Sequence, residues 1–269
     1  MASCNQLNLI DAIGIAHPVI ALDAVPRIVC LVPSITELLF DLGLGKCLVG
    51  RTGFCIHPKE LVSSIPKVGG TKDVNLEKIR RLGPTHLIVN IDENEKPTVD
   101  LLAQFIPNVI VTHPNHPCDN FALFRLLGSI FRAEERAEQL CHQLQLRLQQ
   151  FDGLPPQQLK NVLYCIWKDP WMTVSRETYI ARMLALRGWQ QWQTASNDKR
   201  YPSFDWQAEG IDQVDVVLLS TEPYSFQKQH AEELHKELGK PVVLVDGEML
   251  SWYGSRVIAG LDYLAHLDI

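Results

Sequence analysis

Two imidazoles and a thiol lie within six residues in Thr112-His113-Pro114-Asn115-His116-Pro117-Cys118, and His57 follows Cys55 by two positions. Imidazole and thiolate are favoured ligands of zinc and of softer transition metals, but a structural zinc takes four of them. The 113–118 spacing matches no standard zinc module, and a proline after each histidine imposes extended backbone where a shared helical face would be needed. A solvated loop is the preferred reading of that segment. His57, Cys55, His113 and His116 stay as metal candidates with no ion assigned.

Aromatic residues make a more coherent set. Trp167 and Trp171 flank Lys168-Asp169-Pro170, Tyr201 and Phe204 share a proline-bearing loop, Tyr224 follows Pro223, and Trp252-Tyr253 precede Gly254. Rigid rings on loops suit a flat apolar ligand, because few torsions are frozen when it binds. Trp189 and Trp192 stand beside an expected helix end and are assigned to packing. Residues 50–58 form a loop after a strand and bring Arg51, Thr52 and Phe54. Asp92, Glu93 and Glu95 follow another strand, where they would meet a cationic or metal-bearing ligand, or else favour a helix N-terminus through its dipole. Arg51, Lys72, Arg176 and Arg256 would suit an anionic chelate. The chain has no G-x-G-x-x-G, Walker A, G-x-S-x-G or H-E-x-x-H sequence. Glu93 and His113 could be imagined as an acid–base pair, but nothing in the sequence fixes their geometry. The reading is a binding protein, with no catalytic residue and no cofactor.

The elements that position these residues follow from periodicity. Short apolar runs of strand length fall at 27–32, 47–51, 85–90 and 109–112, then again at 161–167, 214–220 and 241–245. Helical spacing lies between them, as in Asn75-Leu76-Glu77-Lys78-Ile79-Arg80-Arg81-Leu82, which Gly83-Pro84 ends. Ser34-Ile35-Thr36-Glu37 fits a capping box, with Ser34 on the Glu37 amide and the Glu37 carboxylate reaching back. That turn lies at the carboxyl end of a strand, where open α/β sheets bind ligands, so Ser34 and its backbone are expected at a cleft edge. "LEKIRRLGPTHLIVNIDEN" with the later "IPNVIVTHP" is echoed by "AEGIDQVDVVLLSTEP" with "GKPVVLVDGE". This quasi-repeat predicts two α/β lobes with mainly parallel sheets. Ala133, Ala137, Leu140, Leu144, Leu148 and Phe151 mark one long helix between them, ending at Asp152-Gly153-Leu154-Pro155-Pro156. The expected division is an N-terminal lobe over 1–118, a helical segment with the bridging helix over 119–155, and a C-terminal lobe over 156–269.

Composition bounds the function. With 269 residues, 46% hydrophobic and 21% charged, the chain can bury a large core. Its formal charge of -6 and the lack of a basic cluster argue against nucleic acid. No apolar run approaches membrane-spanning length. Seven cysteines without a C-x-x-C pair read as reduced core thiols. The first residues, "MASCNQLNLIDAIGIAHPVIALD", lack a basic start and an unbroken apolar run, so the expectation as written is cytoplasmic, or periplasmic if a signal was trimmed.

The stretch "LIDAIGIAHPVIALDAVPRIVCLVPSITELLFDLGLGKCLVG" resembles the N-terminus of the helical-backbone solute-binding proteins, which serve ABC importers of cobalamin, haem and iron–siderophore. "VGGTKDVNLEKIRRLGPTHLIV" is similar to the family's N-L-E and P-D-L-I-V block, and "GSRVIAGLDYLAHL" to its closing helix, so the likeness spans roughly 9–267. The resemblance implies two lobes on one rigid helix, a ligand cleft between them, and a monomer with little hinge closure. It implies transporter docking through a glutamate of each lobe, Glu77 in the N-L-E motif and Glu209 in the second lobe. Thr71-Lys72-Asp73 occupies the region where cobalamin-binding members carry an aromatic residue, a departure that counts against copying the cobalamin assignment. The ligand contacts expected are Ser34, Arg51, Thr52, Phe54, Thr71, Asp92, Glu93, Trp167, Trp171, Tyr224, Trp252 and Tyr253, around a corrinoid or iron complex. The alternative is a signal-less cytoplasmic homologue that senses, carries or modifies such a ligand without a transporter.

Overall fold

The computed structural model describes residues 9–152, 159–193 and 199–269. Cys4, the Pro155-Pro156 stop and the 155/156 boundary lie outside the described residues. In chain order the elements are β1 (Ile28–Cys30), α1 (Pro33–Asp41), β2 (Leu48–Arg51), α2 (Lys59–Val62), α3 (Leu76–Leu82), β3 (His86–Asn90), α4 (Lys96–Ala103), β4 (Asn108–Thr112), α5 (Asp119–Ile130) and α6 (Glu134–Asp152). They continue with β5 (Lys160–Trp167), β6 (Met172–Thr173), α7 (Tyr179–Ala185), β7 (Trp189–Gln191), β8 (Val216–Ser220), α8 (Lys228–Leu238), β9 (Val242–Val245), α9 (Gly247–Ser251) and α10 (Arg256–His266).

The chain forms two compact units. The first gathers residues up to Pro114, Cys118–Leu144 and Tyr253–Arg256; the second gathers Asn115–Pro117, Gln145–Trp252 and Val257–Ile269. The long expected helix is present as α6, and the change of unit falls within it, after Leu144. In the first unit the sheet runs β2-β1-β3-β4 with every pairing parallel. The second sheet runs β6-β5-β8-β9 with β7 also on β5, and only β5–β6 is antiparallel. Strands buried on both faces read as near-continuous apolar runs, and β1 and β8 are buried at every position, β8 ending on the polar Ser220. Val29, Leu31, Ile79, Leu87 and Leu102 centre the first core; Leu163, Val217, Leu219 and Phe226 centre the second.

Helix ends follow local chemistry in most places. Asn75 Oδ1 accepts the Lys78 amide at 2.8 Å, and Gly83 closes α3 at φ 55°, where a side chain would be strained. The capping box at Ser34 and Glu37 does not form. Pro33 starts α1 two residues earlier than that box requires, its fixed φ suiting the first helical position. Val32 is the N-cap, Ser34 is buried inside the first turn, and Thr36 donates to the Val32 carbonyl at 3.0 Å. The reciprocal arrangement occurs at α8, between Gln227 and His230. The second copy of the quasi-repeat is also shorter than the first: after Gly210, Ile211–Gln213 make one 3-10 turn where α3 would correspond.

The N-terminal hairpin is tied down by one carboxylate. Asp11 accepts the amides of Ile13, Ile15 and Val111 and lies 3.1 Å from His17 Nε2. His86, edge-on to Phe131, is nearby; burial first, and then His17, lower its imidazole to about 4. The folded value lies below the unfolded one, so the unfolded chain binds the extra proton between them. Stability contributed by His86 is therefore whole above about pH 6.5 and is lost as pH falls towards 4. Urea titrations from pH 7.5 to 4.5 should show a steeper loss for the native chain than for His86→Gln; parallel curves would exclude this source.

Candidate functional site

In each sheet the connections from two adjacent strands run to opposite sides, the arrangement that opens a crevice at the strands' carboxyl ends. In the first sheet that point lies between β1 and β3. Asn94 organises it: its side-chain amide donates to Leu31 O at 3.4 Å and Thr71 O at 2.9 Å, and its carbonyl accepts the Asn90 amide at 2.9 Å. Asp92 and Glu93 follow on this turn, half-buried; α4 begins only at Lys96, so they do not sit in its first turn. Asp92 Oδ2 is 3.4 Å from His113 Nε2, beyond β4. Glu93 accepts the Tyr253 hydroxyl. Burial and then the Glu93 charge hold that phenol well above its usual range. Sequence reasoning missed Asn94, although an N-x-x-x-N spacing after an apolar strand is a recognisable side-chain turn.

The 52–58 loop divides into buried and exposed parts. Arg51 was expected to meet a ligand but is 4% exposed. Its Nε donates to Val62 O at 2.9 Å, and one terminal nitrogen donates to Thr52 O and Cys55 O at 3.1 and 3.0 Å. Thr52 is fully buried, its hydroxyl 3.2 Å from Cys55 Sγ, which also lies 3.1 Å from Thr36 Oγ1. Burial pushes the Cys55 thiol up, away from the thiolate that a metal prefers. Phe54, by contrast, is 62% exposed. Among the described residues no group of three or more His, Cys, Asp or Glu side chains could hold a metal ion, so His57, Cys55, His113 and His116 build no such site.

The second sheet changes direction between β5 and β8. Trp167, at the end of β5, is 40% exposed, and Tyr224 meets it edge-on at 5.5 Å. The Tyr224 amide donates to Ile166 O, which ties the β8 loop to β5. Other expected rings are used in packing. Trp171 stacks on Phe226 at 5.8 Å and meets Trp206 at 5.1 Å. Trp252 and Tyr253 are 8% and 7% exposed. Trp252 Nε1 donates to Glu222 at 2.6 Å and Ser251 Oγ donates to the same oxygen at 3.2 Å, while burial raises the Glu222 carboxyl. Glu222 was also missed; an acid two residues beyond a buried strand was its signal. Trp189 and Trp192 are buried, as their expected packing role requires.

The remaining features lie away from the β1–β3 and β5–β8 strand ends. A cavity of about 820 Å³ in the first unit is lined by the hairpin, the end of β4, α5 and the start of α6, and of the expected site residues only His113 borders it. Glu77 projects from the first turn of α3, 71% exposed and 3.7 Å from Arg80, and Glu209 of the second unit is exposed in its loop.

The sequence profile of a family described as periplasmic binding protein matches residues 28–238. The uncharacterized ABC transporter substrate-binding lipoprotein YvrC of Bacillus subtilis (strain 168) is 25% identical, over 89% of this chain and 78% of its own length. Among solved structures, the periplasmic vitamin B12 binding protein BtuF of Vibrio cholerae superposes with a TM-score of 0.75 at 18% identity, covering 89% of this chain and 94% of that one. The periplasmic heme-binding protein RhuT from Roseiflexus sp. RS-1 gives 0.75 at 21% identity, covering 90% and 97%. At these identities the superpositions establish likeness of fold.

Proposed function

The chain belongs to the periplasmic binding protein family and is a solute-binding protein; on that premise we propose that its solute is a large, flat metal chelate or tetrapyrrole-type ligand, a corrinoid, haem or iron complex. The observation that carries this reading is Trp167, an exposed ring held edge-on by Tyr224 where the second sheet changes direction. In the first unit Phe54 is likewise exposed, beyond β2. Such rings gain most from a ligand that is itself flat and rigid. Thr71, Asp92 and Glu93 supply polar contacts at the first sheet, and nothing in the reading requires catalysis. The names of the B12-binding and heme-binding structures of like fold support the ligand class.

We further propose delivery to an ABC permease outside the cytoplasmic membrane, by a monomer docking through Glu77 and Glu209. Likeness to the lipoprotein of Bacillus subtilis favours this over a cytoplasmic carrier. Titrating tryptophan fluorescence with cyanocobalamin, haemin and a ferric siderophore tests the reading. At least one should quench, and Trp167→Ala should weaken that ligand about 30-fold, the effect of a hot-spot loss near 2 kcal/mol. No response to any of the three would sink the ligand class.

A further inference from the structure

In the solute-binding reading, ligand meets the segments that follow strands whose carboxyl ends reach the sheet edge. After β1 to β4 these are 31–32, 52–58, 91–95 and 113–118, which hold Asp92, Glu93 and Glu95, the histidines His57, His113 and His116, and neither lysine nor arginine; of the acids, Asp92 lies 3.4 Å from His113. After β5, β8 and β9 they are 168–171, 221–227 and Asp246, with Asp169, Glu222 and Asp246 against Lys168, whose Nζ lies 6.0 Å over the Trp171 ring.

Of the cations expected to suit an anion, the three arginines are engaged elsewhere, while Lys72, next to Thr71, is exposed. Arg51 is buried on carbonyls, Arg256 is paired with Glu37, and Arg176 Nε donates to Gln191 O at 2.8 Å beside β7, whose end pairs with Val162 well short of the β5 terminus. The segments after β2, β3 and the end of β5 itself expose large apolar side chains: Phe54 at 62%, Ile56 at 47%, Ile91 at 45% and Trp167 at 40%. Carboxylates beside exposed apolar side chains accept N–H donors and positive charge and repel other carboxylates, because the water that would screen the repulsion is partly displaced.

We infer that the solute is a large ligand of zero or positive net charge with N–H donors on its rim, and that ligands bearing several ionised carboxylates or catecholates are selected against. This rests on the solute-binding reading and narrows it.

The test titrates the full chain with cyanocobalamin, aquacobinamide, haemin and haemin dimethyl ester. Haemin should bind at least about tenfold more weakly than its ester, and more tightly as salt rises from about 0.02 to 0.5 M, since screening relieves the repulsion. Glu95→Gln with Asp169→Asn, two exposed positions, should strengthen haemin and leave the ester unchanged. Haemin matching or exceeding its ester, or weakening with salt, would overturn the charge inference while the solute-binding reading stood. Failure of all four ligands would overturn both.

Discussion

Replacing Arg256 by alanine is expected to lower the free energy of unfolding by about 3–5 kcal/mol, the range for stranding one partner of a buried ion pair. Arg256 Nε and a terminal nitrogen reach the two Glu37 oxygens at 2.8 and 2.6 Å, a bidentate geometry, and the side chains are 9% and 19% exposed. Without the guanidinium, the Glu37 carboxylate would stay largely shielded from water with no opposite charge. Denaturant titration near pH 7 measures the loss, and a cost below about 1 kcal/mol would mean that water replaces the arginine. The paired replacement Glu37→Gln with Arg256→Met should cost clearly less, because it strands no charge.

The second large effect separates two readings of Arg51. As a ligand contact, Arg51→Met would weaken solute binding and leave stability nearly unchanged. The structure calls for the opposite: a stability loss on the order of 3 kcal/mol, since the Val62, Thr52 and Cys55 carbonyls all lose a charged donor in a buried site. The variant measured well below its melting transition should keep the solute affinity of the native chain. A large affinity loss with unchanged stability would return Arg51 to the ligand.

Much of the scaffold could be read from neighbouring residues. Apolar runs of strand length, helical spacing through α3 and α6, and the Asn75 and Gly83 signals depend on contacts a few residues apart. The polar groups were legible only as candidates. Ser34 and Glu37 satisfy the capping-box pattern, but Pro33 moved the helix start and Arg256, 219 residues away, took the carboxylate. Trp252 and Tyr253 look like offered rings, yet their donors reach Glu222 and Glu93, 30 and 160 residues distant.

By itself, then, the sequence determined the alternation of strands and helices, the two sheets and the long helix, because backbone periodicity and capping are local. Tertiary structure alone decided which arginines and aromatics remain available to a solute. That choice turns on which distant acid or carbonyl each side chain meets once the strands are in register.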